Sequence, residues 1–116
     1  MEHIIDSLLT ELRRGNLTLA VLSQLRTPQY GYSLAQSLEE LGITIEQSTL
    51  YPLLRRLEKQ ELLVSHWDTR GARPRKYYEL SEFGTDVFEK VRVEWMKNTK
   101  KLYHVLSEEG DKNGFN

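Results

Sequence analysis

Apolar residues recur at helical spacing in several stretches of this chain. Leu50, Leu53, Leu54 and Leu57 fall at i, i+3, i+4 and i+7, which is one inward stripe of an amphipathic helix. The far side of the same wheel carries Ser48, Pro52, Arg55 and Lys59, flanked by Tyr51 and Arg56. Upstream, Ile4, Ile5, Leu8, Leu9 and Leu12 make one stripe and Leu17, Ala20, Val21 and Leu25 another. Gly15-Asn16 lies between them, either as a weak joint in one long helix or as a stop with Asn16 capping the next. Residues 31–41 predict a short helix with Leu34, Ala35, Leu38 and Leu41 inward, ended by Gly42 where a positive φ costs little. Ser81 suits the N-cap of a long last helix, with Glu82 and Asp86 near its positive end. In that helix Phe83, Val87, Val91 and Trp95 recur every fourth residue, and Phe88, Leu102, Val105 and Leu106 widen the apolar surface.

Elsewhere the pattern changes to that of strands. Ile43-Thr44-Ile45 predicts a short first strand, and the helix carrying Leu50 begins near Glu46. Thr44 with Gln47 also fits a capping box, but that start would put Pro52 deeper into the helix than proline tolerates. Residues 62–68 and 75–80 predict two antiparallel strands with Val64, Tyr78 and Leu80 inward, joined through the turn formers Gly71 and Pro74. Two helices around a tight connection, followed by a hairpin, predict a winged helix-turn-helix. The expected fold is therefore mainly α with a small β-hairpin. The division is residues 1–15 as an N-terminal helical extension, 16–80 as the winged unit, 81–107 as a long C-terminal helix and 108–116 as a polar, flexible tail. The extension and the last helix have more apolar surface than one subunit needs, which marks them as dimer-interface candidates.

Charge sharpens this picture. The chain of 116 residues, one domain's worth, has a net charge of −1. Residues 55–76 hold seven Lys or Arg against three Asp or Glu, a local +4, while the remainder holds nine against fourteen, or −5. The positive pole coincides with the outer face of the helix and the hairpin tip, a mixture of cations, hydroxyls and an aromatic ring suited to phosphates and base edges. A merely solvated helix face is the bland alternative. The chain has no cysteine, which excludes a disulfide framework and a thiolate metal site and fits a reducing cytoplasm. Its first residues lack a basic stretch followed by a long apolar run, so neither a signal peptide nor a membrane span is expected. His3, His66 and His104 have no metal or triad spacing, and a nucleophile elbow, a phosphate-cradling glycine loop and paired carboxylates are missing from the sequence. No enzyme activity and no cofactor are expected.

The run Ser48-Thr49-Leu50-Tyr51-Pro52-Leu53-Leu54-Arg55-Arg56-Leu57-Glu58, then Arg73-Pro74-Arg75-Lys76-Tyr77-Tyr78-Glu79-Leu80-Ser81, resembles the PadR family of bacterial transcriptional regulators. Leu12-Arg13-Arg14-Gly15-Asn16-Leu17 and Gly31-Tyr32-Ser33-Leu34-Ala35 match the same family pattern, in order and over nearly the whole chain. Tyr30 stands where the family often has His, and Ala72 where a second wing glycine is common. The resemblance implies a homodimeric, sequence-specific DNA-binding regulator, a repressor, on a palindromic double-stranded operator. With the helix wheel and the wing charge, it places Ser48, Thr49, Tyr51, Pro52, Arg55, Arg56, Lys59, Arg70, Arg73, Arg75 and Lys76 at the DNA, and Tyr32 either at a phosphate or, as the plainer alternative, in packing. It also implies a planar aromatic effector at Trp95, with Thr18 and Thr99 on the pocket wall; Trp95 as plain dimer packing is the alternative. Trp67, beside Asp68 on the first wing strand, is expected to pack the hairpin rather than to stack on a base, with one of Tyr77 and Tyr78 in the core and the other toward DNA. A winged-helix protein-interaction module, or a small-molecule sensor without DNA binding, are the rival readings.

Overall fold

Each strongly periodic stretch forms a helix, and the helices meet around one three-stranded sheet. The computed structural model describes residues 1–107; the expected tail, 108–116, lies outside the described residues. The order is α1 (Glu2–Ser23), β1 (Gln29–Tyr30), α2 (Gly31–Glu40), α3 (Gln47–Lys59), β2 (Leu63–Asp68), β3 (Arg75–Leu80) and α4 (Glu82–Leu106). The core is built from Val21, Leu22 and Leu25 of α1 and the loop after it, Leu34 and Leu38 of α2, Leu50, Leu53, Leu54 and Leu57 of α3, Leu63, Tyr78 and Phe88. Burying a leucine fully is worth about 2 kcal/mol, so the α3 stripe alone anchors that helix firmly.

α1 runs through Gly15-Asn16 without a break. The Asn16 side chain, which could have capped a new helix, instead accepts a hydrogen bond from Trp95 Nε1 at 3.0 Å. Residues 1–16 are all exposed, whereas the helix beyond them sinks into the core. With α4 also extending away, the radius of gyration is 16.9 Å, against about 13 Å for a compact chain of this length.

Both helices that flank the turn end in the same six-residue hydrogen-bond pattern. After α2, Ile43 N–H donates to the Leu38 carbonyl and Gly42 N–H to Glu39, with Gly42 at φ 85°. After α3, Leu62 N–H donates to Leu57 and Glu61 N–H to Glu58, with Glu61 in the glycine position at φ 64°. This geometry corrects two expectations. Ile43-Thr44-Ile45 is not a strand, because the Ile43 N–H is spent on closing α2 and the two isoleucines pack on the core from a loop. Leu41 is 60 % exposed, since it caps α2 and Ile43 takes the inward place.

The first strand is Gln29–Tyr30, and the sheet order is β1-β3-β2, antiparallel throughout. Leu63 pairs with Leu80, Ser65 with Tyr78 and Trp67 with Lys76, so these six share one face. Leu63 and Tyr78 on that face are buried, and Val64, expected inward, is 48 % exposed. One residue of strand register exchanges the faces, and the run Leu62-Leu63-Val64 gives no alternation from which to read it. On the opposite face Tyr77 stacks on His66 at 5.6 Å and meets Tyr30 edge-on at 5.5 Å.

α4 starts as expected at Ser81, whose Oγ accepts from Gly84 N at 2.8 Å and donates to the Glu61 carbonyl at 2.7 Å. Gly84 and Phe88 point inward; a Cβ on Gly84 would overlap the Leu62 carbonyl. Phe83, Val91 and Trp95 keep substantial solvent exposure. No helix among the described residues is long and apolar enough to cross a membrane.

Candidate nucleic-acid interface

The inward α3 stripe forces its polar side out. Ser48, Thr49, Pro52, Arg55, Arg56 and Lys59 are exposed, and Tyr51 is half-buried against Gly31, where a Cβ would come within 2.5 Å of the tyrosine hydroxyl. Pro52 occupies the sixth residue of the helix, so the Ser48 carbonyl lacks its usual helical donor on the outward side. Tyr32 is exposed in the first turn of α2 and accepts from Gln36 Nε2 at 3.1 Å.

The wing is fastened to this helix by one carboxylate. Glu58, on the last turn of α3, accepts a hydrogen bond from Ser65 on β2 and an ion pair from Lys76 Nζ on β3 at 3.2 Å. The Ser65 hydroxyl, and next Lys76, hold the Glu58 carboxyl below its ordinary range against the opposing effect of burial. Burial works against the Lys76 charge, but bonds to Glu58 and Tyr78 outweigh it and its pKa is raised. The ammonium also lies over the Tyr78 ring, 5.1 Å from its centre.

At the tip, Asp68 takes Arg70 bidentately, Nε at 3.0 Å and Nη2 at 2.9 Å, and accepts the Arg70 backbone N–H at 3.0 Å. These bonds from Arg70 hold the Asp68 carboxyl far below the usual carboxylate range. Arg75 lies over the Tyr30 ring at 4.7 Å. Two of the seven cations are thus neutralised within the chain, while Arg55, Arg56, Lys59 and Arg73 are exposed and form no ion pair among the described residues. Between α3 and the wing opens a cleft of about 680 Å³, bringing together Tyr32, Tyr51, Arg55, Arg73, Arg75 and Lys76. Ser48, Thr49, Pro52, Arg56, Lys59 and Arg70 lie outside its lining. Tyr30 and Trp67 line it too, and the sequence pattern marks neither as a site residue. Trp67 is readable only once Leu63 is known to point inward, because it is two residue pairs further along the same face.

A second, smaller cleft of about 260 Å³ lies between α1 and α4, lined by Leu19, Ala20, Phe88, Arg92 and Trp95 and closed at one side by Asn16. Thr18 projects from the opposite side of α1, where its hydroxyl donates to the Arg14 carbonyl, and Thr99 lies one turn past Trp95; neither lines this cleft.

A model of the PadR-like transcriptional regulator family matches residues 18–90, a span that includes this helix and the wing tied to it. The chain belongs to the PadR-like family. A PadR family transcriptional regulator from Eggerthella lenta DSM 2243 is 48 % identical, with 92 % of this chain and 96 % of that one covered and a TM-score of 0.83. A PadR family transcription regulator from Clostridium difficile R20291 is 28 % identical over 78 % of this chain and 97 % of that one, with a TM-score of 0.72. An uncharacterized protein of Lysinibacillus sphaericus is 29 % identical over 91 residues, 74 % of this chain and 84 % of that protein. This PadR-like chain is accordingly a transcriptional regulator with a winged-helix fold.

Proposed function

We propose that this PadR-like regulator is a homodimeric repressor that binds a palindromic duplex operator. The observation that carries the reading is the set of four exposed cations without acid partners among the described residues, Arg55, Arg56, Lys59 and Arg73, beside a wing whose other cations are held by acids and rings. α3 enters a major groove, with Arg55 reading base edges, while the wing follows the backbone. Ser48, Thr49, Tyr51 and Pro52 present the N-terminal half of α3 to the groove, and Tyr32 bonds a phosphate. Two-fold symmetry then sets half-sites about 34 Å apart. The exposed stripes of α1 and α4 supply the dimer contact.

Purified protein is mixed with fragmented genomic DNA, and the retained fragments are sequenced. A recovered palindrome, bound with an affinity that falls steeply with salt, supports the reading; retention without sequence preference and without salt dependence overturns it. The cleft at Trp95 favours a second element, a planar aromatic effector that stacks on the indole and prefers a dimer with misplaced recognition helices. Thr18 and Thr99 enter that pocket only from a second subunit. Release of the duplex by a flat aromatic compound, lost in Trp95→Ala, checks this part.

A further inference from the structure

We propose that Trp67 is a nucleic-acid contact, an indole that the wing lays against the deoxyribose face of a strand whose phosphates are held by the arginines around it. The inference rests on the DNA-binding reading above and assigns to that surface a residue whose type and place suggested hairpin packing ahead of base stacking. Trp67 is 62 % exposed although it stands on the core-facing side of the hairpin. On that face Leu63 is buried and Ser65 reaches Glu58, but further along the strand Trp67 is left mostly in solvent. Its cross-strand neighbour Lys76 is drawn to Glu58 and over Tyr78, and its chain neighbour Asp68 is taken by Arg70. Neither side chain is free to cover the ring.

The cleft that Trp67 lines places it among Arg55, Arg73, Arg75 and Lys76, and no acidic residue is part of that lining. Three arginines without a carboxylate partner among the described residues, Arg55, Arg73 and Arg75, around a largely exposed aromatic face fit a polyanion whose charges alternate with rings, which is the chemistry of a nucleic-acid strand. An acidic peptide would meet the cations and leave the indole in water. Apolar contact with a sugar or base contributes affinity without displacing a counterion, so its signature differs from that of the arginines.

The chain has two tryptophans. Labelling the whole protein with 5-fluorotryptophan gives two fluorine resonances, assigned with Trp67→Phe. The probe is a dye-labelled duplex of about 30 base pairs, long enough for two half-sites one turn apart. We expect duplex anisotropy to rise while the Trp67 resonance shifts and loses its solvent isotope effect. Trp67→Ala should weaken binding roughly tenfold, in line with stacking contributions at nucleic-acid surfaces, and leave the slope of log affinity against log salt unchanged. A rise in anisotropy with the Trp67 resonance and the Trp67→Ala affinity both unmoved overturns this contact and leaves DNA binding standing. No rise at any salt concentration overturns the DNA reading and this contact with it. A Trp67 shift produced equally by polyglutamate overturns the choice of nucleic acid.

Discussion

Leu54 and Leu57 of α3 are buried, whereas Leu8 and Leu12 of α1 and Leu102 and Leu106 of α4, on equally helical stretches, stand in solvent. Periodicity decides which face of a helix is apolar; what covers that face is decided by the rest of the chain. Around α3 the rest of the chain includes α2, β2 and the end of α1, and the face closes. The arms, residues 2–16 and the outer turns of α4, project beyond the core that the described residues form. Apolar area left in water forgoes about 25 cal/mol per Å², so the dimer proposed for this PadR-like regulator would gain most by covering the arms. The body holds the fold; in the proposed homodimer the arms hold the assembly.

Gly84 seats the first turn of α4 on the body, and changing it should have the largest effect. A methyl group there overlaps the Leu62 carbonyl, which is backbone and cannot rotate away. Gly84→Ala should cost about 3 kcal/mol or more in urea unfolding, a large share of a small domain's stability. The contrasting glycine is Gly15 on the arm, where an added Cβ would meet nothing within 4 Å. Gly15→Ala should raise stability by roughly 0.5–1 kcal/mol through helix propensity alone. Similar losses at both positions would show that arm and body are not distinct.

Next in size is the arm itself. The double change Leu8→Asp and Leu102→Asp should give a monomer by sedimentation, with an unfolding midpoint no longer dependent on protein concentration and the body still cooperatively folded. A variant that remains dimeric removes these faces from the interface.

The same contrast explains how much the residues reveal by themselves. The α3 stripe, the Ser81 cap and the Gly42 stop are local patterns with one physical meaning each, and all three stand. Glu61 carries no such signal, because helix stops are marked by glycine and this chain completes the same six-residue closure with a glutamate at φ 64°. β1 is two residues long and exists only because β3, nearly fifty residues later, pairs with it; no local signal could mark it. Val64 is as good an inward candidate as Leu63 by pattern, because three apolar residues in a row carry no phase. At the candidate site, the cations are legible by count, but their partners are not. Glu58 and Lys76 are 18 residues apart, and their pairing follows from the register of the hairpin on α3.

That pairing gives a test by pH. Glu58 titrates below its ordinary 4.5 in the folded chain, so its contribution is full above 4.5 and is lost as pH falls through the lower folded value. Lys76 titrates above its ordinary 10.5, so its share is full below 10.5 and is lost as pH rises through the higher folded value. Between these limits Glu58→Gln should cost about 1 kcal/mol, a modest figure because both side chains keep about a third of their exposure. Below pH 4.5 the difference between variant and parent should shrink, and it should vanish once pH is under the lowered folded value. A difference that persists undiminished at pH 2 would mean that the charge of Glu58 contributes nothing and that only its shape matters.

The smallest effects separate cations within the wing. Arg70 and Arg73 are three residues apart and equally basic by sequence, yet Arg70 already has a carboxylate and Arg73 has none among the described residues. If each met one phosphate, removing either would lower the salt slope of duplex binding by about 0.9. For Arg73→Ala that decrease is expected, with affinity falling for every duplex sequence alike. For Arg70→Ala the slope should hardly change, because the loss of the cation frees Asp68 and replaces a neutral pair with a lone acid. The affinity should still fall slightly, since that acid now faces the backbone. Asp68→Asn reverses the sign: it releases Arg70 and should steepen the slope. A chain in which Arg70 and Arg73 behave identically across a salt series would show that the Asp68 pair opens on binding, and the wing's cations would then have to be counted by sequence after all.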